Sequence, residues 1–484
     1  MAKSFIKPLA IALCVLGCIS LPAYAAQAKK NKNVGFRKKH STQPTKATPQ
    51  DSYLSSVYQQ DARGLLRLGV LPFDFDVPGQ AFVTTGPYVG VPVQYSGNDL
   101  IINTPSVNTD VQLLRIRKGI REELIAKHRI NPSHMADHPH LILSGALAGQ
   151  ANYMKKGQGG SSSDIDVASS SLDAFFIGPS DWLLGFMELS FDNSRLSTNG
   201  VRVSNSRVYV NKAFITLGNF AESPFYGSIG QMYVPFGAYS SVMISDTLPK
   251  SLGRTKERAL LAGFQQQSPN AFYGAVYGFK GDSHLGAANR VNNGGLNVGY
   301  RFEHGSVRGG IGAGMIANLA DSLGMQNSAG FSTSATTEMI VHRVPAYDLR
   351  GTLSVGSAWD FVGEYVGAST RFNPNNLMFN GQGAKPWALD LEAVYSFYIC
   401  DNKPSSFAVG YGRSKEALAL GLPAQRYSLL WKASLLRNTL QSIEFRHDMN
   451  YSAGTTASGP GGNGTTSASG KADNAITAEF NYYF

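Results

Sequence analysis

The chain has 484 residues, of which 43% are hydrophobic, 16% are charged and 52 are glycines. Nine of the 43 basic residues and none of the 33 acidic residues precede position 47, so the formal net charge of +10 belongs mainly to the N-terminus. After the first 21 residues no apolar run reaches the ~18 residues that a membrane helix needs, which excludes a helical membrane protein.

The N-terminus is typical of an exported protein. Lys3 and Lys7 precede an apolar run that ends before Ala23-Tyr24-Ala25, so residues 1–25 are predicted to be a cleaved signal peptide. A lipoprotein signal ending at Cys18 is the alternative. Residues 26–50 form a basic tail predicted to be disordered. An exported tail favours contact with anionic envelope surfaces over contact with nucleic acid.

Residues 51–139 form a mixed accessory segment, expected to be periplasmic or lumenal. Residues 110–129 are predicted to be a helix, with Asp110 at its start, Pro132 past its end and a basic, solvated face. The sequence HMADHPH that follows is a weak metal candidate, because the prolines around it disfavour a helix. We therefore expect no metal and no cofactor.

From residue 140 onward the hydrophobic pattern has a period of two, which predicts strands with one apolar and one polar face. Lipid-facing positions such as Trp387, Leu389 and Leu391 alternate with Asp390 and Glu392. Sixteen strands are predicted, near residues 141–154, 168–177, 182–192, 207–217, 225–235, 257–266, 271–280, 294–303, 307–317, 346–356, 361–371, 386–398, 406–413, 424–435, 439–450 and 474–484.

The connections between these strands alternate between tight turns and long polar loops. The long loops are predicted at residues 155–167, 236–256, 318–345, 372–385 and 451–473. Outer-membrane barrels have short periplasmic turns and long external loops in this order. The predicted fold is therefore all-β: a transmembrane antiparallel barrel of about 16 strands over residues 140–484, in the outer membrane of a Gram-negative bacterium.

The last strand ends on Phe484, after apolar residues at alternate positions. Terminal aromatic strands of this kind resemble those read by the barrel-assembly machinery, which makes that machinery and outer-membrane lipid the expected partners. A homotrimer is possible because trimers are common among porins.

The chemistry of such a barrel lies in the charges that line its lumen. Arg254, Lys256 and Arg258 alternate in sequence, so an extended chain would present three cations on one face, a pattern suited to multidentate anions. Arg350, Arg426, Lys432 and Arg446 lie at predicted inward positions, together with Asp348, Asp390, Glu392, Glu444 and Asp448. The seven cations are the candidate substrate-binding or pore-lining residues.

Several segments resemble a known family: YVGVPVQYSGNDLIINTPSVNTD, GQMYVPFGAYSS with ISDTLPKSLGRT, and the terminal NYYF. They are similar to the LbtU-type siderophore porins, whose members are outer-membrane barrels with a role in uptake of a ferric polycarboxylate siderophore. The resemblance implies an anionic iron chelate as cargo. It supplies no residue-level binding motif, so the candidate cations depend on the charge pattern alone.

The function expected from the sequence is a porin-like channel for an anionic ferric siderophore, without obvious energy coupling. A general or phosphate-type anion porin is the nearest alternative. A barrel enzyme and an envelope anchor are further alternatives, although no Ser, His and acid share a recognisable catalytic motif. We therefore expect no enzymatic activity.

Overall fold

A computed structural model describes residues 82–83, 101–102, 107–126, 140–178, 180–192, 207–286, 290–356, 358–399, 403–436 and 438–484. The chain divides into Met1–Ser56 and Val57–Phe484, and only the second unit contains described residues. The predicted signal peptide, the basic tail, Cys400 and most of the histidine-rich segment lie outside these ranges.

The described residues confirm the barrel of sixteen antiparallel strands, which closes on itself. Each strand pairs with its sequence neighbours, so the order around the barrel is a simple meander. The strands are β1 (His140–Lys155), β2 (Ser161–Ile177), β3 (Leu183–Asp192), β4 (Arg207–Gly218), β5 (Phe225–Tyr233), β6 (Lys256–Gln265), β7 (Ala271–Phe279), β8 (Asn293–His304), β9 (Val307–Ile316), β10 (Ala346–Val355), β11 (Trp359–Ala368), β12 (Trp387–Ile399), β13 (Lys403–Lys415), β14 (Gln425–Ala433), β15 (Thr439–Met449) and β16 (Ala472–Tyr483).

The barrel closes between its last and first strands. Tyr482 of β16 is the register partner of Leu147 of β1. Beyond β16, the Gly145 N–H donates to the Phe484 carbonyl at 2.7 Å and the Phe484 N–H donates to the Gly145 carbonyl at 3.1 Å. Closure leaves no open strand edge between these strands, which is what a β-structure in lipid requires.

The outer surface of the barrel is apolar. In β7, Phe272 and Val276 are 62% and 61% exposed, whereas the alternate residues Tyr273 and Tyr277 are buried. Other strands repeat this alternation, for example at Leu260 of β6 and Ile311 of β9. In water such a surface would be an unusually large apolar patch, so a hydrocarbon environment is the physical explanation for it.

One predicted loop was wrong. Residues 155–167 were expected to be a long connection, but β2 begins at Ser161 and only residues 156–160 separate it from β1. The run Ser161 to Asp164 is polar, so it lacks the apolar alternation that indicates a strand. It forms a strand through backbone pairing with β1, to which side-chain polarity is largely indifferent.

The long connections form ordered structure at one rim, here called the long-loop rim. Residues 378–379, 382–383, 456–458 and 466–467 make a small four-stranded sheet there. Arg371 and Glu416 join two of the connections through hydrogen bonds of 2.8 and 3.3 Å. The opposite rim carries the tight turns and is called the short-turn rim.

Helix α1 (Thr109–Ala126) precedes the barrel strands. All seven residues from Val111 to Arg117 are buried. Successive helical residues point about 100° apart, so the first half of the helix, Val111 to Arg117, is enclosed on every side. The predicted solvated basic face is therefore wrong for Arg115. In the described residues no helix is long and apolar enough to cross a membrane.

Candidate functional site

The connection between β5 and β6, residues 234–255, enters the barrel and is called the inserted loop. Phe236 and Tyr239 are buried, and the Ala238 N–H donates to Glu364 Oε1 on β11 at 2.8 Å. The Tyr239 ring lies against Gly237. The φ angle of Gly237 is +93°, which glycine adopts readily but which strains other residues. A methyl group at Gly237 would also lie 2.6 Å from the Tyr239 ring.

Two further wall carboxylates hold the inserted loop. Glu392 of β12 accepts hydrogen bonds from Ser241 Oγ at 2.5 Å and from the Val242 N–H at 2.9 Å. Glu444 of β15 accepts the N–H groups of Ile244 at 2.6 Å and Ser245 at 2.9 Å, and also the Ser245 hydroxyl.

Glu364, Glu392 and Glu444 are called the clamp carboxylates. Each clamp carboxylate accepts at least one backbone N–H group of the inserted loop, so together the three fix the path of the loop along the wall. Their residues are only 2–4% exposed, which leaves little carboxylate surface for a solute.

Two glycines of β13, in the part of the wall that the inserted loop contacts, make room for the loop. A methyl group at Gly410 of β13 would lie 2.9 Å from Met243 Cε, and one at Gly412 would lie 3.0 Å from Leu248 Cδ1. Both positions therefore allow the loop to approach the strand more closely than a larger residue would. The loop therefore packs closely on β13 in addition to its hydrogen bonds to the clamp carboxylates.

A short helix, α2 (Leu248–Gly253), forms the second half of the inserted loop. Thr247 caps it by accepting the Lys250 N–H at 3.3 Å. Just before the cap, the Asp246 carboxylate pairs with Lys250 at 2.6 Å and Arg254 at 3.7 Å. The surrounding protein partly desolvates Asp246 and so opposes its ionisation, but the charges of Lys250 and Arg254 outweigh this effect and lower its pKa to about 2.

The wall beside Asp246 carries two more cations. Arg426 of β14 donates to the Asp246 carbonyl at 2.9 Å and pairs with Asp448 of β15 at 2.7 Å. Arg446 pairs with the other oxygen of Asp448 at 3.0 Å. Lys250, Arg254, Arg426 and Arg446 are called the cation cluster, in which two carboxylates are shared by four cations.

The remaining sequence candidates lie elsewhere. Arg350 of β10 is buried against Asp348, Asn297 and, at 3.5 Å, the Tyr273 hydroxyl. It lines a small cavity between the inserted loop and the wall, together with Ser240 and Glu364. Lys432 lies on the same face of β14 as the buried Leu430, and it is paired with Ser442 of β15.

Arg254, Lys256 and Arg258 do not form the single cationic face that an extended chain would give. Arg254 follows α2 and lies over the Tyr233 ring at 5.2 Å. Lys256 contacts Asn211 at 3.3 Å and lies over the Tyr209 ring at 5.1 Å. Arg258 is exposed and lies on the same face of β6 as Leu260, which faces outward.

The structure brings some of the sequence candidates together at the inserted loop. Arg254, Arg426 and Arg446 were candidates, whereas Lys250 and Glu364 were not. The spacing of Asp246 and Lys250, four residues apart, was the available signal for Lys250. Glu364 gave no local signal, because its role depends on a loop that arrives from 126 residues away in the chain.

The closed barrel, its apolar outer surface and its lumenal loop define the chain as a transmembrane β-barrel of the outer-membrane type. The chain belongs to the UPF0422 family. It is 37% identical over 406 residues to the UPF0422 protein of Coxiella burnetii (strain RSA 493 / Nine Mile phase I), an alignment that covers 83% of this chain and 84% of the relative. It is 34% identical over 416 residues to a UPF0422 protein of Legionella pneumophila (strain Lens), covering 83% and 76% of the two chains.

Two solved structures are similar in fold. The anion-selective porin from Comamonas acidovorans has a TM-score of 0.48 at 12% identity, covering 72% of this chain and 100% of that chain. The outer membrane channel DcaP of Acinetobacter baumannii has a TM-score of 0.47 at 14% identity, covering 72% and 97%. No protein-family model matches the chain.

Proposed function

We propose that this protein is an outer-membrane channel, narrowed by the inserted loop, that admits an anionic solute. The observation that carries the proposal is the contrast in accessible charge at the inserted loop. Side chains of the cation cluster are 12–24% exposed, whereas residues of the clamp carboxylates are 2–4% exposed. A solute passing the loop therefore meets cations more readily than clamp carboxylates.

Other carboxylates nearby reduce this positive field without removing it. Asp246 is 46% exposed and Asp448 is 12% exposed, but each is shared by two cations. Asp473 accepts hydrogen bonds from the Gly157 N–H at 2.7 Å and from Asn450 at 3.2 Å. Asp390 is 7% exposed. The cation cluster has four cations for the two carboxylates of Asp246 and Asp448, so it keeps a formal excess of positive charge with which to attract anions.

Within this function, the cargo that we propose is a ferric polycarboxylate chelate. The resemblance to the siderophore porins supports it, and so does the chemistry of the cation cluster. The side chains of Lys250, Arg254 and Arg446 are each more than 20% exposed. Several guanidinium or ammonium donors of this kind suit a ligand with several carboxylate arms. A general anion channel would use the same cations without saturable recognition.

The test compares two double variants in a planar bilayer. Arg254→Gln/Arg446→Gln removes two cations from the cluster, while Lys250 still pairs with Asp246 and Arg426 still pairs with Asp448. Arg258→Gln/Arg413→Gln removes two exposed arginines outside the cluster and is the matched control. We expect the first variant, and not the control, to lower the anion-to-cation permeability ratio at least twofold.

The same variants distinguish a selective channel from a general one. Titration of a ferric polycarboxylate chelate should block the wild-type current saturably, and the cluster variant should need at least tenfold more chelate for half-block. Conductance indifferent to the chelate would indicate a general anion channel. Equal ion selectivity in all three proteins would contradict the anion-channel proposal itself.

A further inference from the structure

Helix α1 lies against the inner wall of β4 and β5, on a different part of the lumen from the clamp carboxylates. Ser228 of β5 donates to Asp110 Oδ2 at 2.7 Å, and Lys212 of β4 lies 3.4 Å from the Thr109 hydroxyl. Arg117 donates to the carbonyl of Gly218, at the short-turn end of β4. The helix therefore runs along β4 towards the short-turn rim.

The inserted loop and α1 thus share the lumen. The loop lies against β11 to β15, where the clamp carboxylates and the cation cluster are. The helix fills the side lined by β4 and β5. A solute that crosses the barrel must therefore pass beside both elements, unless one of them moves.

The two elements differ in how they are tethered. The inserted loop is joined to a barrel strand at both ends, and the clamp carboxylates hold it between them. Helix α1 is followed in the chain by β1, and no barrel strand precedes it among the described residues, so it is joined to a barrel strand at one end.

The residues on the surface of α1 also suit a helix that leaves its position on the lumen wall and returns to it. Of the eleven buried residues from Val107 to Arg117, six are polar or charged: Asn108, Thr109, Asp110, Gln112, Arg115 and Arg117. In a water-filled lumen these groups exchange their protein partners for water, so leaving costs less than it would for a wholly apolar helix. Val111, Leu113, Leu114 and Ile116 supply the apolar contacts that favour the seated state.

We propose that α1 is a displaceable plug, which closes the β4–β5 side of the lumen when seated and moves out to admit the solute. This inference rests on the proposed channel function. It assigns the gating movement to α1 and a fixed position to the inserted loop. The first experiment therefore measures movement of α1 without measuring conductance.

The first test compares the reactivity of two matched thiols in the full-length protein in vesicles, in a Cys400→Ser background. Val111→Cys places a thiol on α1, and Val242→Cys places one on the inserted loop; the two valines are 3% and 1% exposed. We expect a charged, water-soluble maleimide to label Val111→Cys at least tenfold faster than Val242→Cys. Equal or slower labelling of Val111→Cys would overturn the proposal.

The second test locks α1 in its seat. Asp110→Cys/Ser228→Cys places two thiols where the native side chains touch at 2.7 Å, within reach of a short, reducible thiol cross-linker. We expect the cross-linked channel to conduct at least threefold less than the same channel after reduction, while each single variant is unaffected by the linker. Unchanged conductance, with the cross-link verified on a gel, would refute gating by α1.

The two tests separate the plug from the channel. If neither the cross-linked nor the reduced protein conducts, the channel function fails. The labelling ratio then decides by itself whether α1 leaves its seat.

Discussion

Asp246 shows how a single carboxylate organises the cation cluster. It holds Lys250 one turn into α2 and Arg254 just beyond the helix, while its backbone carbonyl receives Arg426 from the wall. Without a carboxylate at this position, Lys250 and Arg254 would repel each other across the end of a six-residue helix. Asp246 therefore positions cations as well as neutralising one of them.

The pKa of Asp246 gives this arrangement a defined pH range. Its pKa of about 2 in the folded protein lies below the ordinary value of 3.8, so the ionised form is favoured by folding. The resulting stabilisation is complete above the ordinary pKa and is lost as the pH falls towards the folded pKa. We expect the wild-type protein to melt at a higher temperature than Asp246→Asn from pH 7 down to about 4.

Below that range the advantage of the wild type should shrink, since its Asp246 becomes protonated whereas asparagine does not titrate. The measurement is the thermal midpoint of the detergent-solubilised barrel at successive pH values, read as the difference between the two proteins. A difference that stays constant down to pH 2, or grows, would contradict the ion pairs described here. Asp246 is 46% exposed, so we expect the difference to be small in size.

Among the elements, the barrel strands were predictable because their signal is local. Each strand must place apolar residues towards lipid at every second position, and β10, predicted at residues 346–356, is found at Ala346–Val355. The inserted loop was recognised as a loop, but whether it enters the lumen was left open. Its position depends on Glu364, Glu392 and Glu444, which lie on strands more than 100 residues further along the chain.

The clamp carboxylates give the inserted loop a testable role as a fixed element. Glu444→Leu removes the acceptor of the Ile244 and Ser245 N–H groups, which should detach the middle of the loop. Because the detached loop can move from the wall, we expect current noise to increase and mean conductance to change at least twofold. Single-channel recording of the purified protein checks this.

The matched control is Glu479→Leu. Glu479 lies on β16 and accepts hydrogen bonds from Asn481 at 2.7 Å and Gln150 at 3.3 Å. Its replacement removes one lumenal carboxylate without touching the inserted loop, so steady currents are expected. If both variants were equally noisy, general loss of wall charge, and not release of the loop, would be the cause.

At the scale of the whole molecule, sequence reasoning reached the barrel but only part of its interior. The strand count and the alternating connections follow from patterns repeated sixteen times along the chain. The enclosed position of α1 does not, because an amphipathic pattern gives the same signal whether its polar face meets bulk water or a polar lumen wall. Arg258 failed for a related reason: a spacing of two identifies a shared face, but the neighbouring Leu260 decides that this face is outward.

Closure of the barrel joins the two ends of the strand order, and Phe484 takes part in it directly. Its backbone exchanges two hydrogen bonds with Gly145, and its carbonyl also accepts the Ser144 hydroxyl at 3.1 Å. The ring lies over Gly145, where an added methyl group would be 2.6 Å from Cζ. Deleting Phe484 removes these hydrogen bonds, at about 1 kcal/mol each, and uncovers the backbone of Gly145 to lipid, where unpaired groups are costly.

We expect deletion of Phe484 to lower the yield of folded barrel in the outer membrane severalfold and to reduce the urea midpoint of what does fold. Phe484→Tyr, which keeps the backbone bonds and the ring, is the control and should assemble normally. Heat-modifiable migration on gels measures the folded fraction in both cases.

If the deletion refolds normally in lipid vesicles yet fails to assemble in cells, Phe484 acts through the assembly machinery, because purified chains in vesicles must close the barrel unaided. If it fails in both settings, the missing contacts with Ser144 and Gly145 are sufficient to explain the loss. Normal assembly of the deletion in both settings would show that the register between β16 and β1 closes the barrel without its last residue.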